Sequence, residues 1–189
     1  MANFWFKRFR EAKELPYVMD KATAWKASIL AAVSSFNGLG FGVQLVPATE
    51  DKSPLVKFVL ANGPAKEPFP GGVAETGPKF KPEKMHGQAA VHLDSRNVID
   101  FAVIFLPGKV QKITKEQKEM IIVHEIIHAC GMDEHDSEGI MYDVFRDSGT
   151  GVIELVSPAG TKGMPPIRVG ATTTSIMEKL WPAAKKTDP

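Results

Sequence analysis

"ITKEQKEMIIVHEIIHACGMDEHD", residues 113–136, is the stretch that decides the fold. Thr114 is followed three residues later by Gln117, and this capping-box pattern predicts that a helix begins here. Apolar residues then recur at helical spacing, and Gly131 is a typical helix stop. We therefore predict one long helix that ends close to residue 131.

The same stretch holds three of the chain's five histidines, His124, His128 and His135. Residues four apart on a helix lie on one face, one turn apart. His124 and His128 can therefore bind one metal ion from a single rigid element. Glu125 is offset around the helix and can reach a water molecule on that ion without binding the ion. This arrangement is the His-Glu-x-x-His motif.

Zinc suits this motif best, because it takes imidazole ligands and a catalytic zinc site combines three protein ligands with an open position for water. The ion lowers the pKa of that water, and Glu125 would act as the general base that passes its proton to the leaving amine. The alternative is chance, which produces such a five-residue match in roughly a few chains per thousand of this length. The capped helix and the apolar run before His124 favour the metal site, and we expect one catalytic Zn²⁺.

Length and composition limit the classes of protein. A chain of 189 residues is long enough for one domain with a real core. The formal net charge of +1 gives no reason to expect nucleic acid or a membrane as partner. The single cysteine, Cys130, excludes an internal disulfide framework. The apolar stretch at residues 27–36 is too short to span a bilayer and too far from the N-terminus for a typical signal peptide.

These observations also bear on where the protein is found. We expect a chain that is cytoplasmic where it is synthesised. A place in a virus particle, or release by a non-classical route, is left open as an alternative. The composition points to no assembly partner.

The elements before the long helix follow from periodicity and turn residues. We predict an amphipathic helix over residues 20–36 that is capped by Asp20 and ended by Gly38 and Gly40. The Pro-, Gly- and Lys-rich residues 63–87 predict a long surface loop. Strands are predicted at four places: residues 42–49, 54–61, 88–94 and 98–106.

The elements after the long helix are less regular. Residues 143–168 are punctuated by Gly and Pro, with one short strand predicted at residues 152–156. Residues 171–181 predict a closing helix, capped by one of the threonines at 172–174 and stopped by Pro182. This order of elements indicates the α+β class.

The motif also carries a family resemblance. "HEIIHACG", followed by His135 and "SEGIMY", resembles the metzincin clan of zinc endopeptidases, and "GIMY" is similar to the matrixin branch. Short matrixin-like proteins of bacteriophage or bacterial origin are similar as well. The layout of the clan matches most of the chain, but only residues 124–142 are specific. Two departures are visible: Glu134 stands where the clan's usual spacing places the third ligand, and the segment from His135 to Met141 is shorter than in most matrixins. Cys130 lies inside the zinc helix and is therefore not the cysteine of a cysteine-switch propeptide.

The resemblance implies a single zincin-like domain over residues 1–189. Residues 1–131 would form a small twisted, mostly parallel sheet with an antiparallel edge strand, together with the zinc-binding helix. Residues 132–189 would form the methionine turn and the C-terminal helix. Met141 matches the methionine that passes beneath the metal. Tyr142 follows it directly, whereas astacin-like enzymes place a tyrosine ligand two residues further on, so Tyr142 is not assigned as a ligand.

The third metal ligand is the open point of the pattern. The usual spacing of the clan would place it at Glu134, and carboxylates bind zinc well. His135 would instead give the variant His-Glu-x-x-His-x-x-Gly-x-x-x-His. Beyond Gly131 the chain is no longer helical, so an irregular turn can absorb one extra residue. We predict His135 as the third ligand, with Asp133 and Asp136 either facing solvent or orienting a ligand histidine.

The resemblance implies a zinc endopeptidase that acts on a peptide or protein substrate, a cell-wall peptide included. Substrate would lie along an edge strand, for which residues 87–94 are the best candidate. Two alternatives are a metzincin-fold structural or binding component with little or no catalysis, for example in a phage particle, and a hydrolase of another acyl substrate. The intact Glu125 argues against the first.

Other residues have ordinary explanations. His86 and His92 flank a predicted strand and are expected to be surface or hydrogen-bonded histidines rather than ligands. Cys130 is expected to be a small core residue.

Overall fold

A computed structural model of the chain describes residues 2–77, 80, 87–108, 114–136, 138–141, 145–147, 153–155 and 167–183. The α-helices within these residues are α1 (Lys7–Ala12), α2 (Lys26–Gly38), α3 (Lys115–Ala129) and α4 (Ala171–Leu180), with one turn of 3-10 helix at Thr23–Trp25. The strands are β1 (Glu14–Lys21), β2 (Gln44–Pro47), β3 (Val56–Ala61), β4 (Lys66–Phe69), β5 (Gly72–Glu75), β6 (Gln88–Leu93), β7 (Ile99–Pro107), β8 (Phe145–Asp147) and β9 (Ile153–Leu155).

The main sheet has five strands in the order β2-β1-β3-β7-β6. The first four strands are parallel to one another, and β6 runs antiparallel to β7 at the edge. Strand β7 is buried along almost its whole length, which is why its sequence is a nearly continuous apolar run. The α+β class and the mostly parallel sheet with an antiparallel edge strand are confirmed.

Alternate residues of β7 serve two different cores. Ala102, Ile104 and Leu106 belong to the larger core, which also contains buried residues of α2 and α3. Phe101, Val103 and Phe105 belong to a smaller core that lies with the hairpin of β4 and β5.

The hairpin of β4 and β5 corrects the prediction of a loop over residues 63–87. Phe69 of β4 stacks on Phe101 of β7 with the ring centroids 3.8 Å apart. Glu67 is buried and bonded by Lys21 and Lys57. The hairpin is thus held by tertiary contacts, which a Pro- and Gly-rich sequence does not reveal. Residues 78–79 and 81–86 lie outside the described residues.

The first long helix begins later than predicted. Asp20 does not cap it, because the backbone there belongs to β1, which pairs with β3 as far as Lys21. Helix α2 begins at Lys26, and no side chain caps it. Strand β1 was missed because Pro16 lies within its short apolar run, and a proline argues against a strand that pairs on both sides. Apolar side chains of the predicted amphipathic helix are nevertheless buried, Ile29 and Phe36 among them.

The long helix of the motif is confirmed as α3. Thr114 and Gln117 form the predicted capping box, with the Gln117 N–H donating to the Thr114 hydroxyl at 3.2 Å. Gly131 follows the helix with φ +109°. A Cβ at this position would lie 2.1 Å from the Asn3 carbonyl oxygen, so both the backbone angle and the close approach of the chain require glycine.

The C-terminal helix is confirmed as α4, but its predicted cap is wrong. Gly170, not a threonine at 172–174, is the residue before its first turn. The predicted short strand at residues 152–156 corresponds to β9, which pairs with β8. The other residues between 142 and 166 lie outside the described part of the chain.

None of the helices in the described residues combines the length and hydropathy that a crossing of a membrane requires.

Candidate metal centre

Helix α3 presents His124 and His128 on one face, as their spacing predicts. Their ring centroids are 4.8 Å apart, and their Nε2 atoms approach each other to 3.1 Å. Two imidazole ligands of a tetrahedral zinc ion would have nitrogens about 3.3 Å apart, since each Zn–N bond is about 2.0–2.1 Å. The pair is therefore spaced for one ion.

Two backbone carbonyls orient these imidazole rings. His124 Nδ1 lies 2.8 Å from the carbonyl oxygen of Ile140, and His128 Nδ1 lies 2.6 Å from that of Met132. A carbonyl oxygen only accepts hydrogen bonds, so Nδ1 carries the proton in both rings. Each Nε2 then carries a free lone pair on the side where the two rings approach each other. This is the usual arrangement in metal-binding histidines, whose other ring nitrogen donates a hydrogen bond.

His135 completes the group. Its ring centroid lies 5.1 Å from that of His124 and 5.0 Å from that of His128, so the three rings form a nearly equilateral triangle. One nitrogen from each ring lies within 4.8 Å of the others. His135 is exposed whereas the other two are half-buried, so the group opens toward solvent. Three imidazoles with an open side fit a catalytic zinc site.

Glu134 lies outside this group. Within the described residues, His124, His128 and His135 are the one group of possible metal ligands of this kind. The side chain of Glu134 is exposed. The arrangement of side chains thus agrees with the choice of His135 over Glu134, although the identity of the ligands stays a prediction.

Glu125 is buried beside the histidines and contacts the edge strand. Its Oε2 accepts a hydrogen bond from the Ala89 N–H at 2.7 Å. Burial raises the pKa of Glu125, while the nearby His128, the Ala89 N–H and His135 oppose this rise. A carboxylate with a raised pKa holds a transferred proton more readily, which suits a general base.

The contact at Ala89 was not foreseen from the sequence, because a backbone donor leaves no mark in the residue type. Ala89 lies in β6, opposite Ile104 of β7. Its N–H points to Glu125 and therefore away from β7. In an antiparallel pair the outward-facing positions alternate, so Val91 directs its backbone groups to the same free edge.

Burial also affects His128. Desolvation lowers the pKa of its imidazole, and the nearby His124 adds to the effect, while Glu125 opposes it. A lowered pKa keeps the ring neutral, and a histidine must be neutral to bind a metal ion.

A backbone hydrogen bond links Asp136, directly after His135, to Met141. The Asp136 N–H donates to the Met141 carbonyl at 2.9 Å, and Met141 is fully buried in the larger core. Its predicted burial is confirmed, whereas its position beneath a metal ion stays a prediction. Tyr142 lies outside the described residues.

The two aspartates near the third histidine differ. Asp133 is exposed, as one of the two predicted possibilities had it. Asp136 is buried, and its Oδ2 accepts bonds from the N–H and the hydroxyl of Thr173, each at 2.8 Å. Asp136 therefore does not face solvent, and it contacts the first turn of α4.

The remaining predicted residues agree with their ordinary explanations where they are described. His92 Nδ1 lies 2.8 Å from a carboxylate oxygen of Asp100, and its ring packs on Phe69. Cys130 is fully buried, and burial raises the pKa of its thiol. His86 lies outside the described residues.

No family model matches the chain, and no curated protein matches it significantly.

Proposed function

We propose that the chain is a zinc-dependent endopeptidase of the metzincin type, with His124, His128 and His135 as metal ligands and Glu125 as general base. One observation carries this proposal. Three imidazoles converge within 4.8 Å of one another, and the carboxylate that follows the first of them is buried next to an edge strand. A scaffold without metal chemistry would have no need of this combination.

Zinc, when bound, would lower the pKa of a water molecule and polarise the carbonyl of the scissile peptide bond. Glu125 would accept a proton from the attacking water and give it to the departing amine. The Ala89 N–H holds one carboxylate oxygen of Glu125, which leaves the other oxygen for the proton transfer. The carbonyls of Ile140 and Met132 keep the two helical imidazoles in the tautomer that binds metal.

The substrate would be an extended peptide. Strand β6 ends the main sheet, and no further strand pairs with it in the described part of the chain. An extended peptide can add to such an edge by main-chain hydrogen bonds, which give affinity with little dependence on sequence. The backbone groups of Val91 and the carbonyl of Ala89 face this edge, on the strand whose Ala89 N–H bonds to Glu125.

Zinc content and peptide cleavage together test the proposal. Purified protein is expected to contain about one zinc ion per chain, as a single site with three protein ligands requires. It should cleave members of a broad library of peptides. Glu125→Gln should keep the zinc and lose at least about a hundredfold in turnover, the usual scale for a general base.

The outcomes separate the proposed function from its alternatives. Protein that binds zinc but cleaves no peptide would be a structural or binding component, or a hydrolase of another acyl substrate. Protein that binds no zinc would contradict the metal site itself. Equal turnover by Glu125→Gln and the unsubstituted chain would remove Glu125 from the mechanism.

A further inference from the structure

The segment that carries the third histidine is tied to the start of α4. Asp136, the residue directly after His135, is buried, and its Oδ2 accepts two hydrogen bonds from Thr173 at 2.8 Å. Thr173 is fully buried as well. A buried carboxylate that accepts a backbone N–H and a hydroxyl at the positive end of a helix is strongly held.

Further contacts reinforce this attachment. Glu138 Oε1 accepts a hydrogen bond from the Ala171 N–H at 3.1 Å. The Ile140 N–H donates to the Arg168 carbonyl at 2.8 Å, and Gly139 forms an isolated bridge with Val169. Backbone and side-chain bonds thus connect the two segments along their length.

Gly170 explains why α4 lacks an ordinary cap. A Cβ at Gly170 would lie 2.4 Å from Asp136 Oδ2. A serine or threonine at this position, the usual choice for capping a helix, would displace the carboxylate. The first turn of α4 therefore receives its acceptors from residues 136 and 138 rather than from its own sequence.

The same segment contacts the metal centre at both ends. At one end, Asp136 follows His135 in the chain. At the other, the Ile140 carbonyl accepts the hydrogen bond of His124 Nδ1 at 2.8 Å. A shift of this segment relative to α4 would therefore change the position of one predicted ligand and the orientation of another.

We propose that the first turn of α4 positions the metal ligands: Thr173 holds Asp136, Asp136 holds His135 in reach of His124 and His128, and zinc affinity depends on this connection. The inference rests on the metal site of the proposed function. Thr173 and Asp136 are positioning residues and do not contact the metal. Since coupling between two events is reciprocal, zinc binding also strengthens the attachment of α4.

The test compares zinc affinities of the full chain and its variants by competition with a chelator. Thr173→Val removes the hydroxyl at nearly constant volume and should weaken zinc binding about tenfold, the lower end of the usual effect of residues that support metal ligands. Thr173→Ser keeps the hydroxyl and should restore the affinity. Thr174→Val is the matched control. It makes the same substitution one residue later, where the hydroxyl donates to the Gly170 carbonyl at 3.0 Å and not to Asp136.

Two further measurements separate positioning from simple stability. Cobalt in place of zinc reports ligand geometry through its visible absorption, and Thr173→Val should change this spectrum while Thr174→Val should not. Asp136→Asn keeps one acceptor oxygen and provides a second variant, for which weaker zinc binding is also expected.

Several results would overturn the inference. One such result is that Thr173→Val and Asp136→Asn lower the melting temperature equally with and without zinc, while zinc affinity and the cobalt spectrum stay unchanged. The contacts would then only stabilise the fold, and the proposed metal site would stand. An unsubstituted chain that binds no zinc would instead remove the proposed function, and this inference with it.

Discussion

The helical and the non-helical parts of the candidate metal centre are built in different ways. His124 and His128 are neighbours because helix geometry places residues four apart on one face. His135 lies beyond Gly131, where no regular spacing applies, and yet its ring centroid is about as far from the other two as they are from each other. The first pair is positioned by local structure, whereas the third histidine is positioned by contacts between distant segments.

The two helices that flank this centre show the same contrast. Helix α3 is capped by Thr114 and Gln117, which are three residues apart. Helix α4 receives acceptors from Asp136 and Glu138, more than thirty positions earlier in the chain. Both sets of contacts satisfy the first turn of a helix. Only the cap of α3, whose two residues are close in the chain, can be recognised in the sequence.

The largest expected effect comes from removing ligands in each part. His128→Ala should abolish zinc binding, because it removes one of only three predicted ligands. His135→Ala should strip the metal as well, whereas Glu134→Ala should leave zinc affinity unchanged. Equilibrium dialysis with zinc measures all three variants. Loss of zinc from Glu134→Ala combined with retention by His135→Ala would show that the usual spacing of the clan applies and that His135 was the wrong choice.

The next effect concerns Glu125, a helical residue whose carboxylate is held by a remote contact. Ala89→Pro removes the N–H that bonds to Glu125, and because that N–H faces away from β7, no ladder hydrogen bond is lost. Turnover should fall about ten- to a hundredfold, as misplaced catalytic groups commonly cause. Steady-state kinetics should show the loss in kcat.

Ala89→Ser is the matched control for this change, since it keeps the N–H and nearly the size of the side chain. Its kcat should equal that of the unsubstituted chain. Full activity of Ala89→Pro would mean that helix geometry alone positions Glu125.

A smaller effect, on the free energy of unfolding, is expected from substitutions of Met141. Met141 is fully buried, so Met141→Ala should reduce the free energy of unfolding by about 2–5 kcal/mol. Met141→Leu conserves most of the volume and should cost less than about 1.5 kcal/mol. Denaturant titration measures both. A similar small loss for the two variants would show that packing at position 141 does not support the segment.

The smallest effect is expected at the local cap. Thr114→Ala should reduce the free energy of unfolding by about 1 kcal/mol, because it removes the acceptor of the Gln117 N–H. Zinc affinity should not change, since the cap lies ten residues before His124 and the spacing of the histidines does not depend on it. Denaturant titration and dialysis on one sample test both expectations. Weaker zinc binding would show that the helical pair is less independent than its geometry suggests.

Features built by residues close in the chain were predicted better than features built by contacts between distant segments. The strands 88–94 and 98–106 were predicted closely, because the second is an almost continuous apolar run and the two are separated by a short polar turn at residues 95–97. Strand β1 was missed, since Pro16 argues against a strand that pairs on both sides. The hairpin of β4 and β5 was also missed, because the stacking of Phe69 on Phe101 brings together residues that are far apart in the chain.

The sequence by itself determined helix α3, its cap, its end and the shared face of His124 and His128. Each of these depends on residues within one or two turns, where backbone geometry sets every distance. Only the tertiary structure decided that His135 joins the pair, that Ala89 holds Glu125, and that Asp136 caps α4. These contacts join segments with no fixed spacing, and packing of the whole chain sets their distances.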